Sequence, residues 1–453
     1  LEIFLMLKKY TVLAALVFFS LSAVAQEWYL AVPQRAVFSI ATNPLNPKSM
    51  IAGNYSRGFL SSIDGGSTWL ELSIGDLGGT SQISALVYHP RDTAVILAGG
   101  IGFTGIDRTT DAGATWSNVL ADPIGFRFEI ASSGSIAFHP GQPDTIYAVR
   151  STPTEVYRSV DAGETWELLS TVPDLDASAR LRAISVCPVP DSSNIVLITG
   201  RRTAIHRSTD GGKTWKSTQY ALGTHPFADG SQIRWSPTVR GRVYATSLVG
   251  NVGNGGLHYS DDYGLTWQLM KFKDTSLNAL EVRGTNNGDE IFVGGAEILG
   301  SGAGVRGDSL IYRSADGGNT WQDLSEVPWL ENELGEVVAN VWGFAVTQTD
   351  GPAEVFVATE VGAYRSTAVT SVTSATNATS SVSMRQQGTT LLVRSDVDEA
   401  VHVVVCSLEG RELLRTTITG SGLHAVDMSS YATGVYVAGA YTATSRTSAL
   451  IIR

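Results

Sequence analysis

Ser62-Ile63-Asp64-Gly65-Gly66-Ser67-Thr68-Trp69 is the first of six copies of one short pattern, Ser/Thr-x-Asp-x-Gly-x-Thr-Trp. The other copies occupy residues 109–116, 159–166, 208–215, 260–267 and 314–321. Their aspartates, Asp64, Asp111, Asp161, Asp210, Asp262 and Asp316, are separated by steps of 47, 50, 49, 52 and 54. A period near 50 signals stacked supersecondary units. Within the second unit, residues 83–89 alternate in polarity, 90–92 turn, and 94–98 form a second strand. Residues 99–102 turn again, 105–110 make a third strand and 116–120 a fourth. The Asp pattern therefore falls on the hairpin between third and fourth strands. Gly tolerates positive φ there, Asp accepts turn N–H groups, and the hydroxyls close further local bonds. The Trp opens the outer strand, where it can cover the blade edge.

Four antiparallel strands repeated about seven times, with no helix-period segment between them, predict a β-propeller. The seventh unit supplies three strands (341–346, 353–358 and 362–366), and Gly362-Ala363-Tyr364-Arg365-Ser366 approaches the pattern before losing it. Glu27-Trp28-Tyr29-Leu30-Ala31-Val32 matches the Thr-Trp start of every outer strand. These residues are expected to donate the missing strand, because closing the ring removes an exposed sheet edge.

Six intact copies resemble the Asp-box, or neuraminidase-type, repeat. The single seven-bladed form resembles the photosystem II assembly factor type and the luminal domain of sortilin, both of which bind partners. Sialidases carry an Arg triad, a Tyr nucleophile with a Glu partner, and a Phe-Arg-Ile-Pro-like segment. The comparable piece here is Pro33-Gln34-Arg35-Ala36, without that sequence. The oligoxyloglucan hydrolases place two propellers around a cleft, whereas this chain has one. No catalytic residue carries over from these families.

Residues 1–25 read as a signal peptide, with Lys8 and Lys9 ahead of an apolar stretch and a cleavage site at Ala23-Val24-Ala25. The signal reads naturally from Met6. Residues 26–366 are assigned to the propeller and the Ser/Thr-rich residues 367–381 to a linker. Residues 382–453 read as a small β-sandwich with a Glu409-Gly410-Arg411 turn and an Asp427-Met428-Ser429 approach to Gly434-Val435-Tyr436. They resemble the C-terminal sorting domain of the type IX secretion system of Bacteroidetes, though the usual Tyr-Pro-Asn-Pro start is missing. That resemblance implies a secreted or cell-surface protein with the type IX machinery as a partner. The expectation is thus an all-β chain: a seven-bladed β-propeller with four-stranded blades, followed by a small β-sandwich.

Composition narrows the function classes. The chain has 453 residues and a net charge of −11, with 17% charged and 43% hydrophobic residues. Those proportions belong to a folded globular protein. An acidic balance argues against nucleic acid, which needs a clustered positive field. Two cysteines, Cys187 and Cys406, exclude a disulfide framework. No paired His spacing, P-loop or Gly-x-Ser-x-Gly elbow is present, so neither metal nor cofactor is expected. No segment of the mature chain is long and apolar enough to span a membrane.

In a propeller, the loops entering each inner strand share one face with the second-to-third strand turns, and that face is the default site. The six Asp-box aspartates point elsewhere and are read as turn-holding residues. Trp329 lies in a long loop with Glu331, Glu333 and Glu336, a combination that suits sugar stacking, cation binding or a simple loop anchor. Arg182, Arg201, Arg202 and Asp229 are further ligand-binding candidates from the same face. The function expected is a non-catalytic binding protein for an extracellular glycan or protein ligand. A glycoside hydrolase using two loop-face carboxylates is the alternative.

Overall fold

The computed structural model describes residues 26–33, 36–54, 58–72, 82–101, 105–121, 134–151, 153–175, 177–220, 229–249, 255–295, 310–324, 340–347, 354–368, 382–387, 390–395, 400–407, 412–430, 435–441 and 446–452. The chain divides into two compact units, Leu1–Val369 and Thr370–Arg453. The first is a seven-bladed β-propeller. Its blades start from inner strands Val37–Thr42, Gln82–Tyr88, Ile136–His139, Arg180–Val186, Asp229–Trp235, Leu277–Thr285 and Val341–Val346. Each blade is an antiparallel meander, and no α-helix occurs among the described residues.

The ring closes as the sequence predicts. Gln26–Pro33 is the outer strand of the seventh blade, antiparallel to Gly362–Ala368, with Trp28 opposite Ser366 and Leu30 opposite Tyr364. Blade 5 carries a fifth strand, Gln219–Tyr220, which leaves blade 4 and pairs in parallel with Thr266 and Trp267.

Each Asp box is a closed hydrogen-bond circuit. The leading Ser or Thr hydroxyl donates to the aspartate Oδ1 and accepts the N–H of the second box glycine, as Ser208 does at 2.7 and 2.8 Å. The Thr before the Trp donates its hydroxyl to Oδ2, at 2.6 Å for Thr214 and Asp210. The residue after each Asp adopts positive φ even when it is not glycine, as at Ala112, Ala162 and Tyr263. Its N–H reaches the first-to-second strand turn of its own blade: Gly65 to Lys48 O at 2.8 Å, Tyr263 to Gly241 O at 3.0 Å. The box thereby pins two neighbouring hairpins together.

These bonds also set the acidity of the carboxylates. The Thr68 hydroxyl and N–H, with the Ser62 hydroxyl, hold Asp64 far below the usual carboxylate range. The equivalent donors from Thr115 and Thr109 hold Asp111 at about 2. Burial pushes Asp210 upward, but the donors from Thr214 and Ser208 outweigh it and leave this group at about 2.

The box Trp rings do more than cover blade edges. Each wedges against the preceding blade. Trp116 of blade 2 stacks on Phe59 of blade 1, with ring centroids 4.3 Å apart. Trp267 of blade 5, fully buried, packs with Leu197 and Ile205 of blade 4. Trp28 repeats the arrangement, packing from blade 7 against Phe292 and Leu310 of blade 6. In five boxes the indole N–H donates to the carbonyl of the glycine three residues before it, at 3.1 Å for Trp267 and Gly264, whereas Trp215 donates to the Ser170 hydroxyl of blade 3 at 3.0 Å. A hydrophobic wedge at each blade interface makes the core a continuous belt, as repeat stacking requires.

The second unit contains a three-stranded sheet, ordered Val382–Gln387, Thr390–Ser395, Gly422–Asp427. A four-stranded sheet is ordered Glu412–Ile418, Val401–Ser407, Val435–Tyr441, Arg446–Ile452. Leu391, Val393 and Val426 from one sheet pack with Val401, Val403, Val405 and Ala438 from the other, as in a β-sandwich. The strand Val382–Gln387 lies in a stretch to which the sequence pattern assigns no strand.

Candidate functional site

Because the boxes bond to the first-to-second strand turns, both lie at one end of the ring. The second-to-third strand turns and the entries to the inner strands lie at the other. On that loop face, blade 4 carries a cluster of arginines. Its second strand, Val196–Arg201, turns sharply through Arg202 into Thr203–Ser208. Arg202 takes φ +52°, a left-handed conformation that a non-glycine residue holds only when fixed.

Asp229, the first residue of blade 5, does the fixing: its Oδ1 accepts the Arg202 N–H at 2.8 Å. The Arg202 guanidinium in turn donates to the Ser178 hydroxyl at 2.9 Å. Arg180 lies directly opposite Arg201 across the first two strands. Like charges in that relation repel. The Arg180 guanidinium folds back onto the carbonyls of Ala177 and Ala179, at 3.1 and 2.8 Å. Arg201 and Arg202 are exposed, Arg180 is half-buried and Arg182 is buried.

Arg182, Arg201, Arg202 and Asp229 are the loop-face candidates read from the sequence, and the structure joins Arg202 to Asp229 at one turn. Asp229 emerges as the residue that positions Arg202. Arg180 completes the cluster through its cross-strand register with Arg201. Trp329, Glu331 and Glu333 lie outside the described residues. In blade 3, Arg150 ends a second strand at the same level, but its guanidinium is held by Glu155 at 2.9 Å in a half-buried ion pair. His206, buried beneath the cluster, bonds to the Thr203 hydroxyl at 2.6 Å, and desolvation pushes it down to about 4. It is therefore neutral at pH 7. No group of three or more His, Cys, Asp or Glu side chains that could hold a metal occurs among the described residues.

What this arrangement can do chemically is hold an anion. Exposed guanidiniums on a turn fixed from two sides present several N–H donors with little freedom left to lose. Planar, bidentate contacts to a carboxylate or sulfate follow from that geometry.

Comparisons with known proteins agree on the fold and divide on activity. Residues 154–297 match the Sortilin-Vps10 family, described as sortilin, neurotensin receptor 3. A xyloglucanase of Paenibacillus sp. is 30% identical over 104 residues, which span 20% of this chain and 10% of that enzyme. Among solved structures, YCF48 bound to D1 peptide aligns with TM-score 0.51 at 18% identity, covering 79% of this chain and 99% of the other. An ancestral GH74 enzyme aligns with TM-score 0.56 at 14% identity, covering 94% of this chain and 63% of the other. At such identities the likeness is one of fold: the chain is a seven-bladed propeller, and its residues 154–297 are similar to the Sortilin-Vps10 family.

Proposed function

We propose that the chain is an exported, non-catalytic binding protein that takes a carboxylate-bearing extracellular ligand on the loop face of blades 4 and 5. The observation that carries this reading is the arginine cluster, with Arg201 and Arg202 exposed on a turn locked by Asp229 and Ser178. A clustered guanidinium surface on an otherwise acidic chain concentrates attraction for an anion at one place. The fold neighbour bound to a peptide supports the same use of the fold.

Export rests on residues 1–25 as a signal peptide and 382–453 as a type IX sorting domain. Residues 367–453 fused to a periplasmic reporter should reach the surface or medium in a type IX-competent host. Periplasmic retention would refute that assignment.

Binding is tested by titrating the purified chain against a panel of acidic and neutral peptides and glycans. The double variant Arg201→Ala, Arg202→Ala should weaken acidic-ligand binding by tenfold or more, about 1.4 kcal/mol, with an unchanged melting temperature. Equal affinity in wild type and variant would remove the cluster from the site. The short match to a xyloglucanase favours a second reading, glycoside hydrolysis, and the same panel assayed for new reducing ends decides between them.

A further inference from the structure

The central channel of the propeller is shaped by one irregularity repeated around the ring. Six inner strands carry an extra residue where the register with the second strand slips: Phe38, Ser84, Arg182, Ser231, Asn278 and Trp342. In blade 3, Gly134 takes the corresponding place, and its carbonyl accepts the Ile184 N–H at 2.8 Å. This layer is packed. Five of the six bulge residues are no more than 7% exposed. The rings of Phe38 and Trp342, which meet across blades 1 and 7, lie 5.5 Å apart.

Below that layer, toward the box face, the channel widens into a cavity of about 420 Å³. Ile40, Leu86, Ile136, Ile184 and Phe344 form its floor and lower wall. One residue further along each inner strand, the reason for the space is visible. Five blades place small or short side chains there: Ala41, Val87, Ala137, Ser185 and Ala345. Blades 5 and 6 place Arg234 and Glu281 instead, joined at 3.2 Å with side chains 24% and 21% exposed, and both line the cavity. Pro44, Pro47 and Pro90, in the first-to-second strand turns, frame the mouth.

We infer that this well, opening on the box face, is a second binding site, and that it takes a compact, uncharged, mainly apolar molecule bearing an amide-like hydrogen-bond donor. Its volume lies in the range of small-molecule pockets. The Arg234–Glu281 pair neutralises itself, which leaves no countercharge for an ion drawn out of water. The Arg234 guanidinium is occupied, donating also to Gln232 Oε1 and the Ile233 carbonyl, each at 3.1 Å, so what the pair offers is the Glu281 carboxylate as an acceptor on an otherwise apolar wall, matched by an amide N–H. The site lies at the opposite end of the ring from the arginine cluster and stands independently of it.

The test uses the full chain and the uncharged dye N-phenyl-1-naphthylamine. Saturable, one-to-one binding with enhanced emission is expected, displaced by benzanilide and not by benzoate. Ser185→Trp and Ala137→Phe fill the layer of small residues from two different blades, so a single well-folded variant suffices. Either should lower dye affinity at least tenfold with its melting temperature retained, while Arg201→Ala should leave binding unchanged. Undiminished dye binding in a folded filled variant, displacement by benzoate as effective as by benzanilide, or no saturable binding to the wild-type chain would each overturn the inference.

Discussion

Removing the strand Gln26–Pro33 tests how the ring is held shut. A chain beginning at Gln34 is compared with one beginning at Gln26, so that neither carries residues 1–25. The missing strand pairs with Gly362–Ala368 through seven residue positions, interrupted by one bulge between Leu30 and Val32. It contributes Val32, 4% exposed in the core between blades 7 and 1, and Trp28 on the interface with blade 6. Burial of Val32 and of half of Trp28 is worth about 2 kcal/mol each. The edge-strand ladder adds roughly 2–3 kcal/mol, since its hydrogen bonds are each worth about 1 kcal/mol net. A total of about 6 kcal/mol is a large part of an ordinary domain's stability. With an unfolding entropy of about 2 cal/mol/K per residue, a ring of this size should melt about 10 °C lower. Differential scanning calorimetry measures the shift, and a synthetic peptide of residues 26–33 should restore part of it. A melting temperature within 2 °C of the longer chain, with the peptide inert, would refute the closure.

The boxes should make stability acid-sensitive in a defined window. Their carboxylates are held below the ordinary value of 3.8, Asp111 and Asp210 at about 2, so their contribution is complete above about pH 4 and is lost as pH falls toward 2. Thermal melts across pH 2–7 should show this loss, and replacing Asp111 and Asp210 by Asn should flatten the slope. Two adjacent glycines separate conformation from space. Gly65→Ala should cost about 1 kcal/mol or less, because φ is +72° but no atom lies within 4 Å and Ala occupies the same place at 112 and 162. Gly66→Ala should cost about 2 kcal/mol or more, because its Cβ would fall 2.4 Å from the Phe356 ring; chemical denaturation compares the two. Asp229→Ala should cost about 1 kcal/mol and loosen the Arg202 turn, which amide hydrogen exchange at residues 200–203 would register.

The parts of this fold that could be read from sequence are those whose chemistry is local. An Asp box is decided within eight residues, so its turn, its spacing and the blade count follow from Ser62 to Trp69 and the later copies. Closure by Glu27 to Val32 was readable because that segment repeats the outer-strand start. The indole's direction was not readable, because Trp116 finds Phe59 in a different repeat. The parallel partner of Gln219 and Tyr220 is likewise nonlocal, and two residues carry no periodicity. Val382–Gln387 hides as a strand because its alternation is lost in the polar run Arg385-Gln386-Gln387 and it matches no familiar start. Of the loop face, Arg182, Arg201, Arg202 and Asp229 were visible as residues. Their joining around one turn was not, since it depends on a backbone angle at Arg202 and on a strand from the next blade. The well is further still from the sequence. It arises from small side chains at one level of five blades, each unremarkable alone.

Pairing Trp28 with Ser366 also imposes an order in time. The strand Gln26–Pro33 has no partner until nearly the whole ring has been synthesised behind it. Throughout that interval Val32 and Trp28 stay solvated and the third strand of the last blade does not yet exist. Final assembly is therefore a meeting of two chain ends, governed by the slow search that distant contacts require. Until it happens, the protein is an open arc whose two free edges can pair with each other or with a second arc. Rapid completion of the last blade is what keeps one chain from finishing another's ring.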